Sequence, residues 1–188
     1  MFSRKKFVDL GSIGHEFVDV DPNKCIGCGI CELVCSLEKS EKGAFNPLTS
    51  RIKVLRHPLV NVAITCRLCE NPPCVRACPR GALMQSLKNG VIIVDEEKCI
   101  GCGWCVKACE FGSITIDPFK GIAIVCDLCE GREGTGVFPG RKIVRQACVE
   151  WCPEEALNLS TRGRLAQRAR EVAVSKLFST KEIESSAT

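Results

Sequence analysis

The sequence contains no tyrosine and only two histidines, His15 and His57, among its 188 residues. Both histidines fall in segments predicted as loops or strand edges, which favours surface positions for them. No carboxylate pair and no nucleophile–base arrangement stands out in the rest of the chain. Because histidine is scarce, tyrosine is absent and no such arrangement is visible, we expect this chain by itself not to be an enzyme.

Long apolar runs are also missing. No stretch of about 18 apolar residues occurs, so we expect no membrane span. The first ten residues, MFSRKKFVDL, are basic but lack the apolar segment of a signal peptide, and no twin-arginine pair precedes such a segment. We therefore predict a cytoplasmic location.

Cysteine, in contrast, is abundant, with sixteen residues that fall into four sets of four. We call these sets motifs 1 to 4: Cys25, Cys28, Cys31 and Cys35; Cys66, Cys69, Cys74 and Cys78; Cys99, Cys102, Cys105 and Cys109; and Cys126, Cys129, Cys148 and Cys152. Motifs 1 and 3 have the C-x2-C-x2-C-x3-C spacing of bacterial iron–sulfur ferredoxins. Motif 2 has a longer second gap, and eighteen residues interrupt motif 4 after Cys129.

This spacing indicates the chemistry of the cysteines. Three thiolates on one tight loop can bind one cluster, and the fourth, on a following short helix, reaches the neighbouring cluster. Structural zinc is the competing interpretation, but zinc modules usually have two widely separated cysteine pairs. All four motifs are complete, so we predict four [4Fe–4S] clusters. We also expect Gly27, Gly29, Gly101 and Gly103 to let backbone N–H groups close around the inorganic cores.

An internal duplication underlies the motifs. The segment Asp21–Cys35 recurs as Asp95–Cys109, and Cys74–Leu83 recurs as Cys148–Leu157, both 74 residues later. The matches include residues other than cysteine, which makes chance spacing very improbable. We predict an α+β class: a duplicated bacterial ferredoxin-like fold with short β-hairpins and cluster-binding loops.

The chain order predicts a simple domain organisation. Residues 1–16 form an N-terminal arm, and residues 17–160 form the cluster domain, with one pair of clusters from 66–116 and the other from 17–65 plus 117–160. Strand patterns at 17–20, 51–65, 82–94 and 113–125 predict one strand and three hairpins. Residues 162–178 predict an amphipathic helix, which packs either on its own domain or on a partner, followed by a tail. The Gly-rich insertion at 131–136 lacks a complete phosphate-binding motif, so we predict a surface or partner-contacting loop.

The formal net charge of +4 describes only the protein without cofactors. Sixteen thiolates around four cluster cores would bring the total to about −4. A nucleic-acid partner is therefore not expected from the basic composition.

Residues 17–160 resemble the four-cluster iron–sulfur subunits of the dimethyl-sulfoxide-reductase, formate-hydrogenlyase and carbon-monoxide-dehydrogenase-associated type. The stretches 43–47 and 50–54 are most similar to small subunits beside tungsten-pterin aldehyde oxidoreductases and related tungsten enzymes. The resemblance implies a non-catalytic subunit that carries electrons between a large catalytic oxidoreductase subunit (tungsten- or molybdenum-pterin, carbon monoxide dehydrogenase or hydrogenase) and a further acceptor subunit or ferredoxin. A free soluble polyferredoxin carrier is the alternative, and a redox-sensing or nucleic-acid-binding protein is a more remote one. Unlike some relatives, the chain has no C-terminal membrane helix, which argues against direct quinone reduction.

The resemblance also implies that motifs exchange their fourth cysteines, motif 1 with motif 4 and motif 2 with motif 3. The four expected ligand sets, called quartets 1 to 4, are Cys25, Cys28, Cys31 and Cys152; Cys35, Cys126, Cys129 and Cys148; Cys66, Cys69, Cys74 and Cys109; and Cys78, Cys99, Cys102 and Cys105.

Overall fold

A computed structural model describes residues 15–40, 45–130 and 146–185. Most of the predicted N-terminal arm and the Gly-rich insertion at 131–136 lie outside these described residues. Within them the fold is a small mixture of helices and short strands, as the α+β class predicts. No helix in the described part of the chain is both long enough and apolar enough to cross a membrane.

The helices of the described residues are mostly short. They are α1 (Ile30–Lys39), α2 (Pro73–Arg76), α3 (Trp104–Ala108), α4 (Ala147–Glu150) and α5 (Arg162–Ser185), with a 3-10 turn at Pro47–Thr49.

The strands pair into small two-stranded sheets. They are β1 (Phe17–Val20), β2 (Lys53–His57), β3 (Val60–Ile64), β4 (Leu83–Gln85), β5 (Ile92–Val94), β6 (Thr115–Ile116), β7 (Ala123–Ile124) and β8 (Leu157–Ser160). The pairs β2–β3, β4–β5 and β6–β7 are antiparallel hairpins, and β1 pairs with β8.

The three predicted hairpins and the strand at 17–20 are thus present, but the first hairpin is shifted. Its register runs from Lys53↔Ile64 to His57↔Val60. His57 consequently lies at the end of a strand, where its side chain is exposed and its Nδ1 accepts a hydrogen bond of 3.3 Å from the Leu59 N–H. That histidine therefore has a local partner in the turn, which agrees with the expected surface position.

The pairing of β1 with β8 brings together segments from opposite ends of the cysteine-rich region. All four residues of β1 are buried. Next to the strand, the Asp21 N–H donates a 2.8 Å hydrogen bond to the Ala156 carbonyl. Motif 1, which follows β1, and the end of motif 4, which precedes β8, are therefore neighbours.

The core is built around this sheet and includes several cysteines. Val18, Ile52 and Leu157 are almost completely buried, and they pack in one cluster with Cys31, Cys35 and Cys148 among others. Burial of each large aliphatic side chain stabilises the fold by roughly 1.5–3 kcal/mol. The same hydrophobic core therefore fixes the backbone and holds cysteines of motifs 1 and 4.

Phe17–Leu159 form one compact unit, and the chain from Ser160 onward belongs to a second one. Helix α5 begins after Thr161, whose hydroxyl accepts a hydrogen bond of 3.3 Å from the Arg164 N–H. This is the ordinary role of a threonine N-cap. The helix reaches Ser185, seven residues beyond the predicted end at 178.

Candidate metal centres

The first two cysteines of every motif are joined by the same turn. The residue before the second cysteine has a positive φ in all four loops: 73° at Gly27, 45° at Leu68, 63° at Gly101 and 53° at Leu128. A non-glycine residue in this conformation costs roughly 1–2 kcal/mol. Leu68 is fully buried, and its burial offsets that cost.

A short helix then carries the third cysteine of each motif. Cys31, Cys74, Cys105 and Cys148 are each the second residue of α1, α2, α3 and α4, respectively. In motifs 1 and 3 the helix begins directly after Gly29 and Gly103, whose φ values are 81° and 78°. The fourth cysteine of each motif follows four residues later, a displacement of roughly 6 Å along a helix axis. This displacement allows the third and fourth cysteines to belong to different quartets.

Quartet 1 surrounds a cavity. Its four cysteines, drawn from motifs 1 and 4, line a space of about 350 Å³ free of protein atoms, including the open mouth. Val54, Ala63 and Leu157 supply apolar walls. Burial raises the pKa of the Cys31 thiol to about 12, and the neighbouring Glu32 carboxylate and the thiols of Cys28 and Cys25 act in the same direction.

Quartet 4, the counterpart of quartet 1 under the duplication, surrounds a similar cavity. Its cysteines, from motifs 2 and 3, line a space of about 300 Å³ free of protein atoms, again including its mouth. Burial raises the pKa of the Cys105 thiol, and Cys99 and Cys102 raise it further through their charges. In the described ranges, no three His, Cys, Asp or Glu side chains converge closely enough for a single metal ion. The cysteines of both quartets instead enclose a space.

The cysteines within quartet 2, and those within quartet 3, change one another's pKa. Burial raises the pKa of Cys148, and the charges of Cys126, Cys35 and Cys129 add to this effect. In quartet 3, burial raises the pKa of Cys66 and of Cys74 to about 11, with Cys69 and Cys109 among the additional causes. Shared cavities thus group the cysteines of quartets 1 and 4, and mutual effects on pKa indicate the same for quartets 2 and 3. That each quartet binds one cluster stays a prediction.

The quartets follow one another in space. Cys31 of quartet 1 and Cys148 of quartet 2 pack in the same buried cluster. The charge of the Cys66 thiolate of quartet 3 raises the pKa of Cys126 of quartet 2, so these two cysteines are also neighbours. Helix α3 carries Cys105 of quartet 4, and Cys109 of quartet 3 follows at its end. The order is therefore quartet 1, 2, 3 and 4.

Exposure separates the two ends of this series from its middle. Cys28 of quartet 1 and Cys102 of quartet 4 are exposed, whereas every cysteine of quartets 2 and 3 is buried or half-buried. Next to them, Ile26 and Ile100 also present large apolar side chains to solvent. Both end quartets therefore reach the protein surface.

The sulfur of the cysteine that ends each motif has a hydrogen-bond partner. Cys35, Cys78 and Cys152 accept a bond of 3.3 Å from the main-chain N–H groups of Arg51, Ala82 and Ala156, respectively. The Cys109 sulfur lies 3.2 Å from the Ser113 hydroxyl, and either group can be the donor in this contact. Sequence reasoning assigned this kind of contact to the four glycines and missed these donors. The sequence did contain a signal for two of these donors, because Ala82 and Ala156 are matched positions of the duplication. The proposed role of the glycines towards the inorganic cores stays a prediction.

A charged group beside quartet 2 was also missed. The Asp127 carboxylate, between Cys126 and Cys129, forms ion pairs with both Lys39 and Arg51. Its counterpart in motif 2 is Arg67, which forms an ion pair of 3.2 Å with Asp19 and lies over the Phe17 ring. The two copies thus carry opposite charges at the same position of the loop.

Comparison with known proteins agrees with this architecture. The family model for the 4Fe-4S dicluster domain matches residues 59–162, and that for a 4Fe-4S binding domain matches residues 17–40. The chain is 42% identical over 146 residues to the aliphatic sulfonate oxidoreductase polyferredoxin-like subunit of Pyrococcus furiosus, covering 76% of each chain. It is 33% identical over 177 residues to the electron transport protein HydN of Escherichia coli, covering 84% of this chain and 94% of HydN.

A third relative is the thiosulfate reductase electron transfer subunit PhsB of Salmonella typhi. It is 35% identical over 153 residues, which cover 77% of this chain and 73% of that subunit. Because the dicluster model spans more than half of the chain and these relatives align over most of their length, the protein belongs to the 4Fe-4S dicluster domain family of ferredoxin-type proteins.

Proposed function

We propose that each quartet holds one [4Fe–4S] cluster, four in all, within a duplicated ferredoxin-like domain over residues 17–160. One pair of clusters belongs to 66–116, and the other to 17–65 with 117–160. The donor set supports this proposal, because each quartet offers four thiolates, the soft ligands that such clusters require. The apolar walls of the cavities suit a group that is held away from water. When bound, such clusters supply one-electron redox chemistry.

The chain itself works as a non-catalytic electron-transfer subunit. The single observation that carries this proposal is the continuous series of four all-cysteine quartets within one compact unit. With four cysteines in each quartet, every iron has a protein thiolate, which leaves no open position for a substrate. The residues of this chain therefore position the redox groups, exclude water and donate hydrogen bonds to the ligand sulfurs.

The ends of the series are the places where electrons are exchanged with partners. Only quartets 1 and 4 have an exposed cysteine, and each has an exposed isoleucine beside it, at Ile26 and Ile100. We assign one end to a large catalytic oxidoreductase subunit of the tungsten- or molybdenum-pterin, carbon monoxide dehydrogenase or hydrogenase type. The other end serves an acceptor subunit or a ferredoxin. Two of the relatives are subunits of a sulfonate and a thiosulfate enzyme, which supports a catalytic partner of this general class.

The cofactor content is tested by anaerobic analysis of iron and acid-labile sulfide. We expect about sixteen of each per chain, since each [4Fe–4S] cluster contains four. Stoichiometric zinc, or half of this iron content, would show the proposal to be wrong.

The subunit role is tested by purifying the untagged protein under anaerobic conditions from its native source. Comigration with a large pterin, nickel or hydrogenase subunit is the expected result. A stable monomer that carries all four clusters would instead identify a free polyferredoxin carrier.

A further inference from the structure

One buried hydroxyl distinguishes the two middle quartets. Three of the cysteines that end a motif accept a hydrogen bond from a main-chain N–H, as described above. Cys109 differs, because the Oγ of Ser113 lies 3.2 Å from its Sγ. Ser113 is only 7% exposed. Water therefore competes little for this contact.

The direction of the hydrogen bond follows from the chemistry of the ligand. A thiolate has no proton to donate, so Ser113 must be the donor whenever Cys109 is a ligand. Burial raises the pKa of Cys66, another cysteine of quartet 3, to about 11, and Ser113 acts in the opposite direction. Ser113 therefore lies within quartet 3, with its hydroxyl at the Cys109 sulfur.

The other copy of the duplication has no such hydroxyl. The residue 74 positions before Ser113 is Lys39. Its ammonium binds the carboxylate of Asp127, and the sulfur of Cys35 accepts its hydrogen bond from a main-chain N–H instead. The two copies therefore differ in the donor to this sulfur, and in the second copy the donor is a side-chain hydroxyl that a mutation can remove.

We propose that Ser113 is a positioning residue whose hydroxyl raises the reduction potential of the cluster in quartet 3. Reduction places additional negative charge on the cluster and its sulfurs. A hydrogen bond to a ligand sulfur stabilises that charge, so the reduced state becomes easier to reach. This inference rests on the proposed function, because it concerns the group that quartet 3 is proposed to hold.

The test compares three variants of the anaerobically purified protein by EPR-monitored redox titration. Ser113→Ala removes the hydroxyl, and Ser113→Thr keeps it. Ser36→Ala is the matched control, because Ser36 is fully buried beside Cys35 but donates its hydrogen bond to the Leu33 carbonyl, 2.9 Å away. We expect Ser113→Ala to lower the midpoint potential of one cluster. Ser113→Thr and Ser36→Ala should leave all midpoint potentials at the wild-type values.

Unchanged potentials in a Ser113→Ala protein with full iron content would overturn the proposal. A uniform shift of all clusters, or the same shift in Ser36→Ala, would also overturn it. Failure of the proposed function is distinguishable, because the wild-type protein itself would then lack about sixteen irons per chain.

A second measurement decides the question if Ser113→Ala does not assemble its clusters. The wild-type protein is transferred briefly to D2O and examined by resonance Raman spectroscopy. A hydroxyl proton exchanges at once, whereas buried main-chain amides are protected for much longer. An immediate shift in iron–cysteine stretching bands supports the proposal, and the absence of an immediate shift overturns it.

Discussion

The ammonium of Lys39 is paired with the carboxylate of Asp127, which lies 88 residues away in the sequence. Lys39 lies at the end of α1, and Asp127 lies between two cysteines of motif 4. The lysine side chain is only 7% exposed, and Arg51 binds the same carboxylate. This ion pair therefore fastens motif 1 to motif 4 beside quartet 2.

Asp127→Ala should destabilise the protein clearly, because it leaves Lys39 and Arg51 without their carboxylate. The pair is intermediate between fully buried pairs and surface pairs, so we expect a loss of about 2 kcal/mol in the free energy of unfolding. The measurement is the guanidinium midpoint for loss of the visible iron–sulfur absorbance under anaerobic conditions.

The matched control for that ion pair is Glu96→Ala. Glu96 is paired with Lys120, and both side chains are more than half exposed. This change should cost less than about 1 kcal/mol. Equal midpoint shifts for the two variants would contradict the structural role assigned to Asp127.

The glycines between the ligands should respond differently to alanine. A Cβ at Gly101 would lie 2.2 Å from the main-chain oxygen of Gly121, whereas a Cβ at Gly103 meets no atom within 4 Å. Both have a positive φ, so backbone strain of roughly 1–2 kcal/mol is common to the two variants. We expect Gly101→Ala to lose about a quarter of the bound iron, that of quartet 4, and Gly103→Ala to retain it. Iron analysis of the purified variants makes the comparison, and full iron in Gly101→Ala would refute the close contact.

In cluster-free protein, Cys78 should be alkylated at a lower pH than Cys31. Burial raises the pKa of Cys78, but the main-chain N–H groups of residues 80–83, among them the Ala82 N–H bonded to its sulfur, outweigh this effect and bring the pKa below the ordinary value of 9.0. Burial raises that of Cys31 to about 12. Since only the thiolate reacts, the rate at Cys78 should level off at a lower pH than that of an ordinary thiol, while that at Cys31 should still rise at pH 11.

Mass spectrometry of iodoacetamide-treated protein follows both cysteines in one sample. In guanidinium the two profiles should coincide, which provides the control. The shift at Cys31 also predicts the effect of alkali on the folded cluster-free chain. A thiol whose pKa is raised in the folded state stabilises the fold below its unfolded pKa of about 9, and this stabilisation disappears as the pH rises towards 12. Identical profiles under native conditions would contradict the burial of Cys31.

Removal of an end ligand should interrupt electron transfer through the assembled complex. Cys28→Ser affects quartet 1, and Cys102→Ser affects quartet 4. We expect each variant to lose one EPR signal and most of its substrate-to-acceptor turnover, because the four quartets form one series. Leu87→Ser, a change on a fully exposed turn, is the control and should leave both unchanged. Full turnover in a variant that lacks its cluster signal would place that cluster outside the path.

The sequence was sufficient to predict the hairpins, from their strand patterns, and a short helix in each motif. It placed the fourth cysteine on that helix, whereas the structure places the third cysteine there in all four motifs and the fourth only in motif 1. The sequence was not sufficient for the turn at Leu68 and Leu128. Leucine rarely adopts a positive φ, and its use there depends on burial in a core that only the folded chain creates. Glycine at the matching positions of motifs 1 and 3 was the only local signal.

The contacts around the sulfurs were equally beyond reach of the sequence. The pairing of Lys39 with Asp127 joins residues that are distant in the chain, and nothing in either neighbourhood indicates the other. The hydroxyl of Ser113 follows Cys109 by four residues, but a serine at that spacing points to sulfur only in this backbone geometry. The choice of candidate ligands was therefore local information, whereas the surroundings of these cysteines required the tertiary structure.

The assembly of quartet 1 from both ends of the cysteine-rich region has a consequence for synthesis on the ribosome. Cys25, Cys28 and Cys31 emerge early, but the cavity that they line is completed only by Cys152. Quartets 3 and 4 draw all of their cysteines from residues 66–109 and are complete much sooner. Quartet 2 likewise joins Cys35 to cysteines of motif 4. The nascent chain must therefore keep the four thiols of motif 1 reduced until motif 4 has been translated, and loading of iron should begin in the middle of the protein.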